Sequence, residues 1–497
     1  MTSAKTSATQ SATARATVSA SGEAREVAAL PTTMVHAPSA TEPSSASAPL
    51  PPGRLGAPLV GETLAFLRDP FAFFARRGHD HGPFFRTRVL GRSVAVVSGP
   101  EGVEAFLDAD NITREGAQPS HVKALFGGVN MLMLDGSAHR VLKVMALDAF
   151  TPAALAAYVP ALQRIVARTL SERANQDLRG VEVFRRMAME GIAETILGLA
   201  PGPDTESLCA DTIAVVRGLL AIPINLPWTR LGRALRARDR IFERYRSLIA
   251  EHREALAKDP SRRQDGLDRL LAARFAGPES ADARGFNDEE LLLELHHVML
   301  AGYIVFGLFV ELVRRLDESP VLTNRARQEV AAVVGTQAAT PLGPVHLREL
   351  ALLERMVREA KRTAPILPVV FGKARRDFVC QGYRIPRGWD VHLALSLCNA
   401  DPAVFASPGD FDPDRYLAPR AEDRRHVHAY VPQGGGPPTG HRCLGVDYAT
   451  VFGQVFLVEL LRGYDVKRLE PGAGVNTSLL PQEPSDGQRL RLTPRPL

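Results

Sequence analysis

Four cysteines in 497 residues, at positions 209, 380, 398 and 443, are too few and too scattered for a disulfide framework. They point to a reducing compartment, and a bacterial cytoplasmic protein is the expectation. No uninterrupted apolar run reaches the roughly 18–20 residues that cross a bilayer, so no membrane span is expected. Charge of one sign is not in large excess: 60 Lys and Arg face 55 Asp and Glu, and the basic residues are dispersed, which argues against nucleic acid as a partner. Several chemical signatures are missing as well. There is no His-Glu-x-x-His, no Gly-x-Ser-x-Gly and no internal repeat. His79-Asp80-His81 and His296-His297 lack metal-ligand spacing, because adjacent residues on a helix diverge by about 100°. Residues 1–50 are poor in large apolar side chains and rich in Ala, Ser and Thr. Such a segment cannot offset the entropy of ordering and reads as a disordered low-complexity tail. The rest, 51–497, reads as a single domain.

What is present is mostly helical pattern. Leu59 to Ala75, Pro152 to Thr169, Arg236 to Lys258, Leu350 to Arg362 and Val446 to Leu461 carry apolar residues every three or four positions. A long helix is expected from Asp288 to Leu316. Its centre is apolar all round, as in a helix running through the middle of a protein. Short strands are expected at Phe84–Val89, Ser93–Val97, Val369–Phe371 and Arg384–Leu393. Pro223 to Trp228 is a proline-punctuated loop. The fold class is mainly α with a small β portion.

The most informative stretch is Tyr430-Val431-Pro432-Gln433-Gly434-Gly435-Gly436-Pro437-Pro438-Thr439-Gly440-His441-Arg442-Cys443-Leu444-Gly445, which ends where an apolar helix begins. Its glycines, Gly436 and Gly445 among them, allow close backbone approach to something flat. Cys443 sits at the start of a helix, where the dipole and unpaired N–H groups favour a thiolate able to ligate a metal. A phosphate loop is excluded because His441, rather than Lys and Ser/Thr, follows Gly440. A dinucleotide loop is excluded because no βαβ unit surrounds the glycines. Zinc lacks a second cysteine or a suitable histidine pair. A buried inert cysteine stays open on the loop alone.

The loop resembles the haem-binding loop of the cytochrome P450 superfamily. Three other stretches resemble that family in the same order: Asp135-Gly136-Ser137-Ala138-His139 with Lys143, Glu359-Ala360-Lys361-Arg362, and Phe411-Asp412-Pro413-Asp414-Arg415-Tyr416. Pro51-Pro52-Gly53 to Gly61-Glu62-Thr63 looks like the family's entry segment. The resemblance implies a P450 fold holding haem b (iron protoporphyrin IX) between the long central helix and the cysteine-bearing loop. It implies Cys443 as the axial metal ligand, His139, Lys143 and His441 as holders of the haem propionates, and Gly436 and Gly445 against the porphyrin. It further implies Glu359, Arg362 and Arg415 as a buried clamp on the loop. Glu354 and Arg358, four apart, read as a surface pair.

Departures from the family pattern matter for function. Where the family carries Ala/Gly-Gly-x-Asp/Glu-Thr, this chain has Ala301-Gly302-Tyr303-Ile304-Val305. Ala301 and Gly302 would leave room for oxygen, but Ile304 and Val305 can neither donate nor relay a proton. The propionate arginine expected near 372–373 is replaced by Gly372-Lys373. Stretches from Arg114 to Asn130 look like the fatty-acid peroxygenase branch, yet no arginine lies between His297 and Val313 to hold a fatty-acid carboxylate. Pro223 to Trp228 and Gly232 to Arg236 look like the branch that oxidises sterols, retinoids and other terpenoids. The resemblance thus implies an oxidoreductase, monooxygenase or peroxygenase, acting on a lipophilic small molecule. Ferredoxin and reductase, or hydrogen peroxide, would drive it, and Arg424, Arg425 and Arg442 would offer a basic face to an acidic ferredoxin. Rearrangement without oxygen insertion is the third reading. A non-catalytic partner protein is the alternative of another class, disfavoured because Cys443 is present. Gln118, Met131, Met133, Tyr303, Val305, Leu367 and Val370 are the expected substrate-pocket residues.

Overall fold

A computed structural model describes residues 47–277, 280–337, 340–477 and 479–495. The expected tail therefore lies outside the described residues as far as residue 46. The chain is docked slightly before Pro51: Ala48 is buried, and the Arg384 backbone N–H donates to the Pro49 carbonyl at 2.8 Å. Gly53 then bridges to Arg86, and a β-carbon there would lie 2.2 Å from the Arg86 carbonyl oxygen, so only glycine fits.

Five strands form the main sheet, in the spatial order 85–89, 92–97, 390–393, 370–374, 112–113. The first two are an antiparallel hairpin turned by Leu90 and Gly91, both left-handed (φ 52° and 75°), the geometry that matches strand twist in a two-residue turn. Strand 390–393 runs parallel to 92–97 and antiparallel to 370–374. The strand expected over 384–393 is two strands: 383–385 pairs with 378–380, and 390–393 joins the main sheet. Pro386 and Gly388 (φ 83°) lie between them.

Helices make up most of the rest. The periodic segment Leu59–Ala75 is divided, with Thr63–Arg68 ending at Asp69 and Pro70–His81 beginning there. Pro70 supplies a first helical residue that needs no donor, and the Asp69 carboxylate accepts from the Ala72 N–H at 2.9 Å. Pro152–Glu172, Arg230–Lys258, Ala351–Thr363 and Val446–Gly463 follow the expected pattern. Gly180–Leu197 and Pro203–Leu219 are further helices without a clear sequence signature. The first is buried on nearly every side, so its residues show little polar–apolar alternation.

The central helix is not continuous. It runs Asp288–Tyr303, breaks, and resumes as Phe306–Glu318. Its start is secured by a capping box between Asn287 and Glu290. At the break the Val305 N–H donates to Gly302 at 3.3 Å and the Gly307 N–H to Ile304 at 3.2 Å, a three-residue spacing. Gly302 offers no side chain against Ile192 of the helix 180–197, and consecutive β-branched Ile304 and Val305 propagate a helix poorly. The whole segment 288–318 is apolar and long enough to cross a membrane by composition, but 78% of its most apolar window is buried within the protein. Phe309 on this helix packs against Phe452 (4.8 Å between centroids) and Phe456 (4.7 Å), and Phe184 reaches Phe456 at 5.3 Å. These contacts fasten the central helix to the helices 446–463 and 180–197, and so set the distance between it and the cysteine loop.

Candidate active site

Cys443 lies three residues before the helix 446–463, whose N-cap is Gly445. Its backbone N–H donates to the Gln433 carbonyl at 3.1 Å, and the Gln433 side-chain amide approaches the sulfur at 3.8 Å. Gly434 and Gly436 both take φ above 80° or at it (80° and 88°), which lets the loop turn back on itself. The other three thiols are of a different kind. Burial pushes Cys209 up to about 11, and Cys380 and Cys398 up to about 12, so they stay protonated.

Behind the loop is a buried charge network. Arg362 binds Glu359 in a two-pronged fashion (2.9 and 2.7 Å) and donates to the carbonyls of Asn399, Pro408 and Asp410. Arg415 reaches Glu359 at 2.9 Å and Glu422 at 2.5 Å, and the Tyr416 hydroxyl donates to Glu359 at 2.8 Å. Burial opposes the charge on Glu359, yet the hydrogen bonds and charges of Arg362 and Arg415 hold its carboxyl below the usual range. Lone buried ions cost several kcal/mol, and here every charge is partnered. Tyr416 and Glu422 are members that sequence reading missed. Arg358 is also more than half of a surface pair. It lies 3.7 Å from Glu354 but 2.8 Å from Asp423, and stacks over Tyr416 and Tyr430.

A second group gathers at the other end of the loop. The rings of His139 and His441 lie 4.0 Å apart between centroids, and His441 approaches Asp135 at 3.6 Å. Lys143, one turn beyond His139, donates to the Arg442 carbonyl. Burial, then the charges of His441 and Lys143, depress His139 to about 3. Arg114 joins this group without having been singled out: it is 5% exposed, donates to the Phe371 carbonyl at 3.2 Å, and stacks over Phe106. Burial lowers it to about 10. Asp135 is opposed by its own burial but held below the usual range by hydrogen bonds from His441, Thr113 and the Arg114 backbone, and by the charge of Arg375.

Between the central helix and the loop is a small cavity lined by Val305, Leu308, Ala364, Ile366, Pro432, Gln433, Ala449 and Lys361. Of the expected pocket residues, Val305 is on this wall. Leu367 is 39% exposed and lies next to the lining Ile366. Val370 packs into the sheet-side core, Met131 and Met133 are buried, and Gln118 is half-buried. Tyr303 is buried beside Phe306 and close to Arg185 and Cys209, on the side of the helices 180–197 and 203–219. Ala301 is half-buried one residue ahead of Gly302. Gly302 itself faces a neighbouring helix: a β-carbon there would lie 2.3 Å from Ile192. Its small size is required by this helix packing.

The family model for cytochrome P450 matches residues 51–482. This chain is a cytochrome P450. Human cytochrome P450 26C1 is 29% identical over 479 residues, covering 90% of this chain and 89% of that one. The retinoic acid-bound cyanobacterial CYP120A1 superposes with a TM-score of 0.80 at 26% identity, covering 90% of this chain and all of that one. Cytochrome P450EX alpha, solved with myristic acid, shares the fold at 20% identity, with a TM-score of 0.73 over 90% of this chain and 99% of the other. The P450 fold is mainly α with a small sheet, and the chain is an oxidoreductase of the haem-thiolate kind.

The residues present suit a haem. Arg114, His139 and Lys143 are buried and His441 is half-buried; with both imidazoles held below their ordinary range, the buried positive charge is that of Arg114 and Lys143, whose nearby carboxylates are Asp135, already shared with Thr113 and Arg375, and Glu294. A ligand bearing two carboxylates would balance that charge. Beside Gly372, which stands where the family pattern carries an arginine, Arg114 Nη1 lies 3.2 Å from where a Gly372 β-carbon would be.

Proposed function

We propose that this P450 oxidises a lipophilic small molecule, a natural-product or lipid intermediate, over haem b, and that no side chain of the central helix relays protons to the reaction. Cys443 would hold the haem iron through its sulfur, beside which the Gln433 amide lies. Arg114, His139, Lys143 and His441 would hold the propionates, and the Glu359–Arg362–Arg415 network would fix the loop that presents the sulfur. Once bound, a thiolate-ligated haem supplies oxygen activation, because donation from sulfur favours O–O cleavage.

The observation that carries the reading is the wall at the helix break. Val305 faces the cavity with Leu308, Ala364 and Ile366, where no hydroxyl or carboxyl is offered. These side chains would pack against the porphyrin, with Lys361 and Gln433 the polar members of the same lining. Off the central helix the lining's one ionisable group is Lys361, so the proton would come from substrate, from water admitted with it, or from that ammonium. The retinoic acid held by CYP120A1 supports a lipophilic, isoprenoid-like substrate class.

The same wall favours peroxide as a second oxidant, since peroxide brings its own protons. Turnover with hydrogen peroxide, compared with turnover by ferredoxin, reductase and NADPH across retinoids, other terpenoids and fatty acids, separates the two. Substrate-dependent turnover by either route supports oxidation. Full haem occupancy with turnover by neither route overturns it and leaves rearrangement without oxygen insertion.

A further inference from the structure

Lys361, the third residue of Glu359-Ala360-Lys361-Arg362, has no part in the charge network on either side of it. It is 7% exposed, and its Nζ donates to the Val446 carbonyl at 2.8 Å and to the Thr450 hydroxyl at 2.7 Å. Both partners belong to the first turn and a half of the helix that Cys443 precedes. An ammonium there is doubly unfavourable. Burial works against its charge, and the N-terminal end of a helix is the positive end of its dipole. Burial lowers Lys361 to about 8, and the negative charges that resist this are, in order, Cys443, Asp447 and Glu354. Its hydrogen bond to Val446 holds the ammonium on the residue three positions after Cys443. Lys361 also lines the same small cavity as Val305 and as Gln433, whose amide approaches the sulfur at 3.8 Å.

We infer that Lys361 is a buried counter-charge to the Cys443 thiolate, a positioning residue that draws electron density back toward sulfur and makes the bound haem easier to reduce. The geometry has a plain alternative, a latch between the helices 351–363 and 446–463. A charge beside a thiolate changes what sulfur donates to iron; a latch does not.

The test compares holoenzymes of Lys361→Met, Lys361→Gln and Lys361→Arg with the parent, without substrate, so its outcome is independent of the substrate reading. The ferric/ferrous potential is read by spectroelectrochemistry and the C–O stretch of the ferrous-CO complex by infrared spectroscopy. The expected result is a shift to more negative potential and a lower stretching frequency in both neutral variants, with Arg close to the parent in each. Gln retains a donor for Val446, so a shift in Gln reports charge rather than the lost hydrogen bond. Parental potential and stretch in haem-loaded Met and Gln overturn the inference. Loss of haem from both neutral variants while Arg keeps it makes Lys361 a latch and overturns it equally.

Discussion

The guanidinium of Arg114 lies beside Gly372, with Nη1 3.2 Å from the position a β-carbon would take, behind Ile112 at 2.6 Å and Phe106 at 2.8 Å. The two residues are 258 positions apart in sequence and meet because strand 112–113 pairs with strand 370–374. On the proposed reading, Arg114 would stand in from the neighbouring strand for the P450 pattern's arginine near 372–373.

Arg114→Gln should therefore weaken haem retention although it lies far from the cysteine loop in sequence. A charge-assisted hydrogen bond is worth about 1.5–3 kcal/mol, so dissociation should rise roughly ten- to a hundredfold. Transfer of haem to an apo-globin acceptor measures it. Retention equal to the parent would remove Arg114 from the propionate group.

Replacing Cys443 by Ser should leave the fold intact, since the sulfur's recorded contact is the 3.8 Å approach of Gln433. It should abolish the low-energy Soret band of the ferrous-CO complex. Persistence of that band would show that another group binds the iron.

The charge network should dominate stability. Glu359→Gln leaves Arg362 and Arg415 buried and short of their counter-charge, at a cost of about 3–5 kcal/mol. Tyr416→Phe removes one bond to the same carboxylate and should cost less, about 1.5–3 kcal/mol. Urea denaturation of the two variants checks the order, and a reversed order would place the weight of the network elsewhere.

Contiguous chemistry was legible in the sequence, and chemistry assembled across the fold was not. The cysteine loop and Glu359-Ala360-Lys361-Arg362 carry their meaning in neighbouring residues. His139 and His441 come together only because the helix 136–147 packs beside the loop, yet the family resemblance of their two segments was enough to nominate both. Arg114 had only its place in a quoted stretch to recommend it. Tyr416 sat inside a quoted motif, but nothing local says that its hydroxyl reaches Glu359. The break at Ile304 and Val305 was hidden because apolar periodicity continues across it. The tight fit of Gly302 on Ile192 depends on a helix whose all-round burial left little pattern to read.

One pair outside the site should govern a pH dependence. His252 Nε2 lies 3.0 Å from the Asp265 carboxylate, both buried. Burial opposes the imidazolium, but the hydrogen bond and charge of Asp265 outweigh it and raise His252 above its ordinary 6.5. The folded chain therefore holds that proton more tightly than the unfolded one. The resulting stability is present in full below pH 6.5 and is lost as pH rises through the folded-state value. The urea midpoint should fall between pH 6 and 9 in the parent. His252→Gln should flatten that part of the profile, and an unchanged slope would assign it to another group.

Val305→Thr tests the absent relay directly. Thr is close to Val in volume, and its hydroxyl would enter the cavity wall beside Leu308 and Ile366. If a proton donor is what this wall lacks, the variant should give more product per NADPH consumed with ferredoxin and reductase, by roughly two- to tenfold, since a positioned proton donor contributes up to about 10²–10⁴-fold when its acid partner is also present and Ile304 supplies none. Peroxide-driven turnover should change little, because peroxide arrives protonated. Improvement confined to the NADPH route locates the deficit in proton delivery. Equal coupling in parent and variant would mean that substrate or ordered water already delivers the proton, and that Val305 is there for shape alone.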